Sequence, residues 1–184
     1  MKTIWIALGA IVVLILIIFM TYRGNYNTAN TYQKQVDEAW ANVQSTYQRR
    51  ADLIPQLVAT VKGAAANERG ILTQVTEARA GIVSAKTPED MEVMGKKINT
   101  AINLAFEAYP QIRSTENFQN LQTQLEGTEN RINYARDKYN EAVNVYNTHI
   151  TGFLNEMLLN KVRFPVKESF KAAAGSEKAP EVKF

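Results

Sequence analysis

The 184-residue chain has no cysteine, a single histidine, and only five prolines and nine glycines. Without cysteine there are no disulfides, no thiolate metal sites and no cysteine nucleophile, and either side of a membrane remains open to it. One histidine is too few for the two Glu-x-x-His motifs of a di-iron helical bundle, and no Glu stands three residues before His149. His149 reads instead as an interior or interfacial residue, and no metal or cofactor is expected. The glycines at 63, 70, 81, 95 and 127 are isolated, so there is no phosphate-cradling loop. Ser45, Ser84, Ser114, Ser169 and Ser176 fit helix surfaces, caps or tail, and no pair of nucleophile and base can be nominated among them. Net charge is +3 with the cations dispersed, which gives no reason to expect nucleic acid. Strand-like alternation is missing, breakers are rare, and the expected class is all-α. An enzyme is not expected.

What is present begins with an uncharged apolar run, Ile4 to Met20, extended by Thr3 and by Thr21-Tyr22 to the ~20 residues that span a bilayer. No A-x-A-like cleavage site follows, so the run reads as a membrane anchor over residues 1–23 rather than a cleaved signal. Trp5 and Tyr22 mark its ends, where amphipathic rings prefer the headgroup layer. Arg23 and Lys34 against Lys2 lean the body of the protein to the cytoplasmic side.

Residues 24–160 carry helical periodicity. Gly24 to Asn30 is compatible with a brief linker or with a helical turn. From Tyr26 to Lys62 a first helix buries Val36, Trp40, Val43, Tyr47, Ile54, Leu57 and Val61 at steps of four and three. Arg50 interrupts this seam and calls for a carboxylate from across the bundle, for which Glu126 and Glu129 are available. Pro55 is expected to bend a continuing helix near residues 51–55, and the Arg49, Arg50 and Asp52 cluster to pin that bend. A second helix shows Ile71, Leu72, Val75, Ala78 and Ile82 on one face and ends near Lys86. Thr87-Pro88-Glu89-Asp90 is the start signal of a third, which Tyr109-Pro110 closes. Ser114 or Thr115 caps a long fourth helix. There Phe118, Leu125, Ile132, Tyr139, Tyr146 and Phe153 recur every seven residues, beside a companion seam of Leu121, Thr128, Ala135, Ala142 and His149.

The outer helices run about 40 residues, or about 60 Å, and the middle two about half that. Two short helices cannot cover two long ones, so the membrane-proximal aromatic face of the outer pair, with Tyr26, Tyr32, Trp40, Tyr139 and Tyr146, is expected to be open to a partner or a second copy unless the middle helices run longer. Residues 161–184 form a basic and aromatic segment and a flexible tail. Lys161, Arg163, Lys167 and Lys171 interleave with Phe164, Val166 and Phe170, which suits an anionic membrane surface or a solvated end equally.

Several words recur across nearly the whole chain in a familiar order. They are Tyr26-Asn27, Ala39-Trp40, Asn42-Val43, the block from Tyr47 through Arg49-Arg50, Asp52-Leu53-Ile54-Pro55 and Leu57-Val58 to Val61-Lys62-Gly63, Ala78-Arg79-Ala80, Tyr109-Pro110, Leu125 through Ile132, Ala135-Arg136, Tyr139-Asn140 and Tyr146-Asn147. In these the chain resembles the LemA family of bacterial membrane-anchored helical proteins. The resemblance implies one N-terminal transmembrane helix, an antiparallel four-helix bundle with long first and fourth helices, and a place in the inner membrane. It implies no settled activity, and proximity of family members to membrane proteases of the HtpX type suggests a partner of that kind. One departure is Phe153-Leu154 where the family commonly has Phe-Pro, so the fourth helix is expected to run on. The functional expectation is a non-enzymatic scaffold or adaptor, in contact with the lipid bilayer and forming a homo-oligomer. The alternative is a sensor or signalling module whose Pro55 bend responds to ligand or membrane state.

Overall fold

A computed structural model describes residues 2–60, 65–108 and 116–171; the side chains at 54, 56–60, 65–72, 74, 75, 105, 106, 108, 117 and 118 are not among those described. The expected turn near Gly63, the break at Tyr109-Pro110, the cap at Ser114 or Thr115 and the tail from Ala172 lie outside the described residues. The described chain is all-helical and contains no strand: α1 (Lys2–Thr60), α2 (Ala65–Ser84), α3 (Pro88–Ala108), α4 (Glu116–Ile150) and the short α5 (Phe153–Leu158).

The sequence left residues 24–30 open, and the structure makes them helix: α1 is unbroken from Lys2 to Thr60. The polar side chains of this stretch turn back onto the helix itself, Thr28 Oγ1 donating to the Gly24 carbonyl at 3.1 Å and Thr31 Oγ1 to that of Asn27 at 3.0 Å. Each hydroxyl shares its i−4 carbonyl with the helix's own backbone N–H, an arrangement the helix accommodates here without a break. Pro55 lies inside α1 rather than at a helix start. The N-terminal part of α1 is the one stretch among the described residues long and apolar enough to cross a membrane, and none of it is buried.

The chain divides into two bodies. The first comprises Met1–Asn42 and Glu141–Lys167. Its core includes Ala29, Val36, Val143, Tyr146, Ile150, Leu159 and Phe164. Here α4 stops at Ile150 instead of running on. Gly152 breaks the ladder, and Asn155 Nδ2 donates to the freed His149 carbonyl at 2.7 Å, satisfying a helix-end acceptor. The companion seam shifts by one residue, Val143 and Ile150 being buried where Ala142 and His149 are expected, as a 3.6-residue rather than a 3.5-residue period gives, and Phe153 is 81% exposed rather than in the seam.

The second body comprises Val43–Asn140 and Glu168–Phe184. The start of α3 forms as its sequence demands: Asp90 N donates to Thr87 Oγ1 at 3.1 Å and Thr87 N returns a bond to Asp90 Oδ2 at 3.2 Å. The Thr87 hydroxyl, then the backbone N–H groups of Lys86 and Thr87, hold the Asp90 carboxyl below its ordinary pKa. Helices α2 and α3 pack on each other. Gln44 of α1 donates to two carbonyls at the end of α2, Ile82 and Ala85, each at 3.2 Å. Gly95 of α3 admits the Tyr47 ring so closely that a Cβ there would stand 2.8 Å from Cε1. Along α4, Leu121, Leu125, Thr128, Ile132, Ala135 and Tyr139 are buried in the expected order. Thr128 satisfies its hydroxyl on the Leu125 carbonyl at 2.8 Å.

Candidate functional site

The aromatic residues expected to face a partner are partly spoken for by the chain's own C-terminal segment. In the first body, Tyr146 is fully buried and its hydroxyl donates to the Pro165 carbonyl at 3.0 Å. The neighbouring Asn147 reads the backbone of Lys167 from both sides, Nδ2 donating to its carbonyl at 2.8 Å and Oδ1 accepting its N–H at 3.0 Å. Tyr26 is half-buried and meets the buried Phe164 edge-on at 5.2 Å. Tyr32 packs edge-on against His149 at 5.3 Å, and Trp40 is half-buried. His149 Nε2 lies 3.2 Å from the Asn25 carbonyl, to which it can only donate, so this ring nitrogen carries the proton and Nδ1 is left as acceptor toward Asn155.

The second body repeats the device. Tyr139, also buried, donates to the Glu168 carbonyl at 3.0 Å, and Asn140 makes the same double bond to Phe170, 3.1 Å to its carbonyl and 2.8 Å from its N–H. Phe170 is buried edge-on against Tyr139 at 5.5 Å, with the Arg136 guanidinium over its ring at 4.7 Å. In each body the Asn of the word holds both backbone groups of one residue, and the Tyr before it bonds the carbonyl two residues earlier in the segment. An extended segment has no internal hydrogen bonds, and the two amides supply what a neighbouring strand would.

Within the basic and aromatic segment Phe164 and Phe170 belong to protein cores and are not available to lipid, while Lys161, Arg163 and Lys171 stay exposed. The signal for it was in the chain. Two Tyr-Asn words in heptad register put a phenol and a carboxamide repeatedly on one helix edge, more hydrogen-bonding capacity than a helical neighbour can use.

Burial of the Tyr146 phenol and the nearby Asp37 carboxylate, partly opposed by Arg163, push its pKa up to about 12. The unfolded phenol titrates near 10. The stabilisation is thus complete below about pH 10 and is lost as pH rises toward 12, on the order of 2 kcal/mol in all. Thermal unfolding followed between pH 9 and 12 should show this loss in the wild type and a shallower one in Tyr146→Phe.

The Arg49, Arg50 and Asp52 cluster separates in space. Arg50 forms an ion pair with Glu129 of α4, as its place on the apolar seam requires. Its side chain is 13% exposed against 44% for Glu129, and burial pulls the guanidinium pKa below its usual value. Asp52 pairs with Arg79 of α2 at 3.0 Å, while Arg49 is exposed. Beside Arg50 lies a cleft of about 450 Å³ that includes Tyr47, Glu92, Lys96, Glu129, Arg136 and Lys171. Arg136 bonds Glu92 at 3.0 Å and donates to the Lys171 carbonyl at 3.3 Å, so its charge is largely satisfied there. Burial raises the Tyr47 pKa, with Arg136 the main opposing influence. Among the described residues no three His, Asp or Glu side chains gather to hold a metal ion.

A sequence model of the LemA family matches residues 39–184. The chain belongs to the LemA family. Protein LemA of Metamycoplasma hominis is 21% identical over 150 residues, covering 79% of this chain and 68% of its own length. The family match takes in both Tyr-Asn words, the Arg50 and Glu129 pair and the segment from Pro165 to Lys171, while the apolar run at Ile4 to Met20 lies before it.

Proposed function

We propose that this LemA-family chain is a membrane-anchored, non-enzymatic scaffold or adaptor that works through protein contacts and self-assembles at the membrane. The observation that carries the reading is α1 of the first body. A single helix runs from the bare apolar span into the buried positions Ala29 and Val36 with no linker between them. A body built onto its anchor in this way is held at a fixed height and orientation above the bilayer, which serves assembly better than it serves a tethered catalyst. The LemA family is not a known enzyme family.

On this reading residues 1–23 are the anchor, in the inner membrane of a bacterium with the body toward the cytoplasm, and residues 24–160 form an antiparallel four-helix bundle. Support for the bundle comes from α1, α2, α3 and α4 in the second body, where Arg50 meets Glu129, Asp52 meets Arg79, and Arg136 meets Glu92. Partner candidates are a second copy and a membrane protein such as a membrane protease. The half-buried Tyr26, Tyr32 and Trp40 are the aromatic candidates for contact, and Tyr139 and Tyr146 act by holding the C-terminal segment in place.

Purification of the full-length protein from membranes in mild detergent, with native mass and identification of every co-purifying protein, tests the proposal. A discrete multiple of 20.7 kDa, or a stoichiometric membrane partner, is expected. A monomer with no partner would contradict it.

A further inference from the structure

We propose that α5 and the turn that follows it are a second membrane contact, an apolar foot lying in the headgroup layer beside the anchor. The inference rests on reading Ile4 to Met20 as a membrane span. In α5 no residue is buried, and Phe153, Leu154 and Met157 are 81%, 57% and 74% exposed; Val162 just after it is 91% exposed. Four large apolar side chains within ten residues, all bare, are costly in water and mark a surface that meets something apolar.

The fold holds them outward. Asn155 ties α5 to the end of α4 through the His149 carbonyl, and Asn160 Oδ1 accepts the N–H groups of Val162 and Arg163 at 2.8 and 3.2 Å. Leu159 and Phe164 are buried on either side of the turn, so its apolar tip is fixed rather than trailing.

Two contacts within the first body set the height of the foot. His149 Nε2 reaches the Asn25 carbonyl, and Phe164 packs on Tyr26. Asn25 lies five residues beyond Met20, about 8 Å along the helix axis at 1.5 Å per residue. An interfacial helix buries its apolar face about 5–10 Å into the headgroup and acyl boundary. The foot therefore stands level with the membrane surface that the anchor defines.

Charge agrees with a lipid partner. From 151 to 167 the chain carries Lys161, Arg163 and Lys167 against Glu156 alone, and Arg23 stands at the end of the span. Basic side chains flanking bare apolar ones suit the phosphates of anionic lipids. Lys161 pairs with Glu156 at 2.8 Å and Lys167 with Asp37 at 3.7 Å, which leaves Arg163 and Arg23 as the cations best placed for headgroups.

The chain has no cysteine, so single nitroxide labels can be placed cleanly on the full-length protein in vesicles of phosphatidylcholine and phosphatidylglycerol. Phe153→Cys and Met157→Cys carry the test, Val13→Cys reports the span, and Val83→Cys, 72% exposed on α2, reports water. The expected result is oxygen accessibility well above that of a water-soluble nickel chelate at 153, 157 and 13, with the reverse at 83. Labels at 153 and 157 as open to the nickel chelate as the one at 83, while 13 stays protected, would overturn the foot and leave the anchor standing. Protection from both reagents with spin–spin broadening would overturn it in favour of a second copy seated there. A water-exposed 13 would overturn the span and the foot together.

Discussion

Replacing Phe164 by alanine should lower the melting temperature of the detergent-solubilised protein by on the order of 10 °C, while Val166→Ala two residues away should leave it nearly unchanged. Phe164 is 3% exposed and Val166 is 65% exposed. Truncating a buried phenylalanine removes its transfer free energy and leaves a cavity, about 3–5 kcal/mol together. An exposed valine changes stability by about 0.5 kcal/mol or less. In a protein of this size each kcal/mol moves the midpoint by about 2–4 °C. The loss has a ceiling, because the extended segment can release from α4 before the helices separate, and its docking free energy then limits the cost. Differential scanning of the two variants against wild type measures the contrast. Equal melting points would mean that Phe164 does not sit in a core.

The second large effect is an asymmetry within the Arg50 and Glu129 pair. Glu129→Ala should cost about 2–3 kcal/mol and Arg50→Ala about 1 kcal/mol, although both break the same bond. Removing the carboxylate strands a guanidinium that is 13% exposed, whereas removing the guanidinium frees a carboxylate that is 44% exposed and readily hydrated. Arg50 Nε is already buried without a hydrogen-bond partner, which leaves that cation little to fall back on. The double change Arg50→Met with Glu129→Leu should recover most of the loss, since an apolar pair of similar volume needs no compensation. Urea unfolding of the four proteins gives the comparison. A larger loss for Arg50→Ala than for Glu129→Ala would contradict the asymmetry.

Much of the helical layout was legible because it is local. Thr87 and Asp90 signal the start of α3 within four residues, and their reciprocal bonds are present. The buried run Leu121, Leu125, Thr128, Ile132, Ala135 and Tyr139 follows from period alone, and an arginine on an apolar seam demanded the carboxylate that Glu129 supplies. What period could not show was where the pattern stops. Phe153 continues the seven-residue spacing beyond Ile150, but Gly152 and the Asn155 cap have ended the helix, and the side chain points away from any core.

The docked C-terminal segment was illegible for a related reason. Residues 165–171 have no periodic pattern, and their polar backbone partners are side chains about 19 to 35 positions earlier in the chain. Phe164 and Phe170 alone could as well have belonged to a membrane surface. Only the Tyr-Asn words on α4 imply an extended neighbour, and they do so through hydrogen-bonding capacity rather than hydrophobicity.

The Tyr-Asn words of α4 hold the chain's own C-terminal segment. Backbone hydrogen exchange at Lys167 and Phe170, in the full-length protein in a lipid bilayer, tests it most directly. Both amides donate to asparagine side chains, Lys167 to Asn147 and Phe170 to Asn140. They should be protected in the wild type. Asn147→Ala should release Lys167 first and Asn140→Ala should release Phe170 first, with the amides of α3 unchanged. Exchange at both positions as fast as in an unfolded peptide, in the unmodified protein, would contradict the claim.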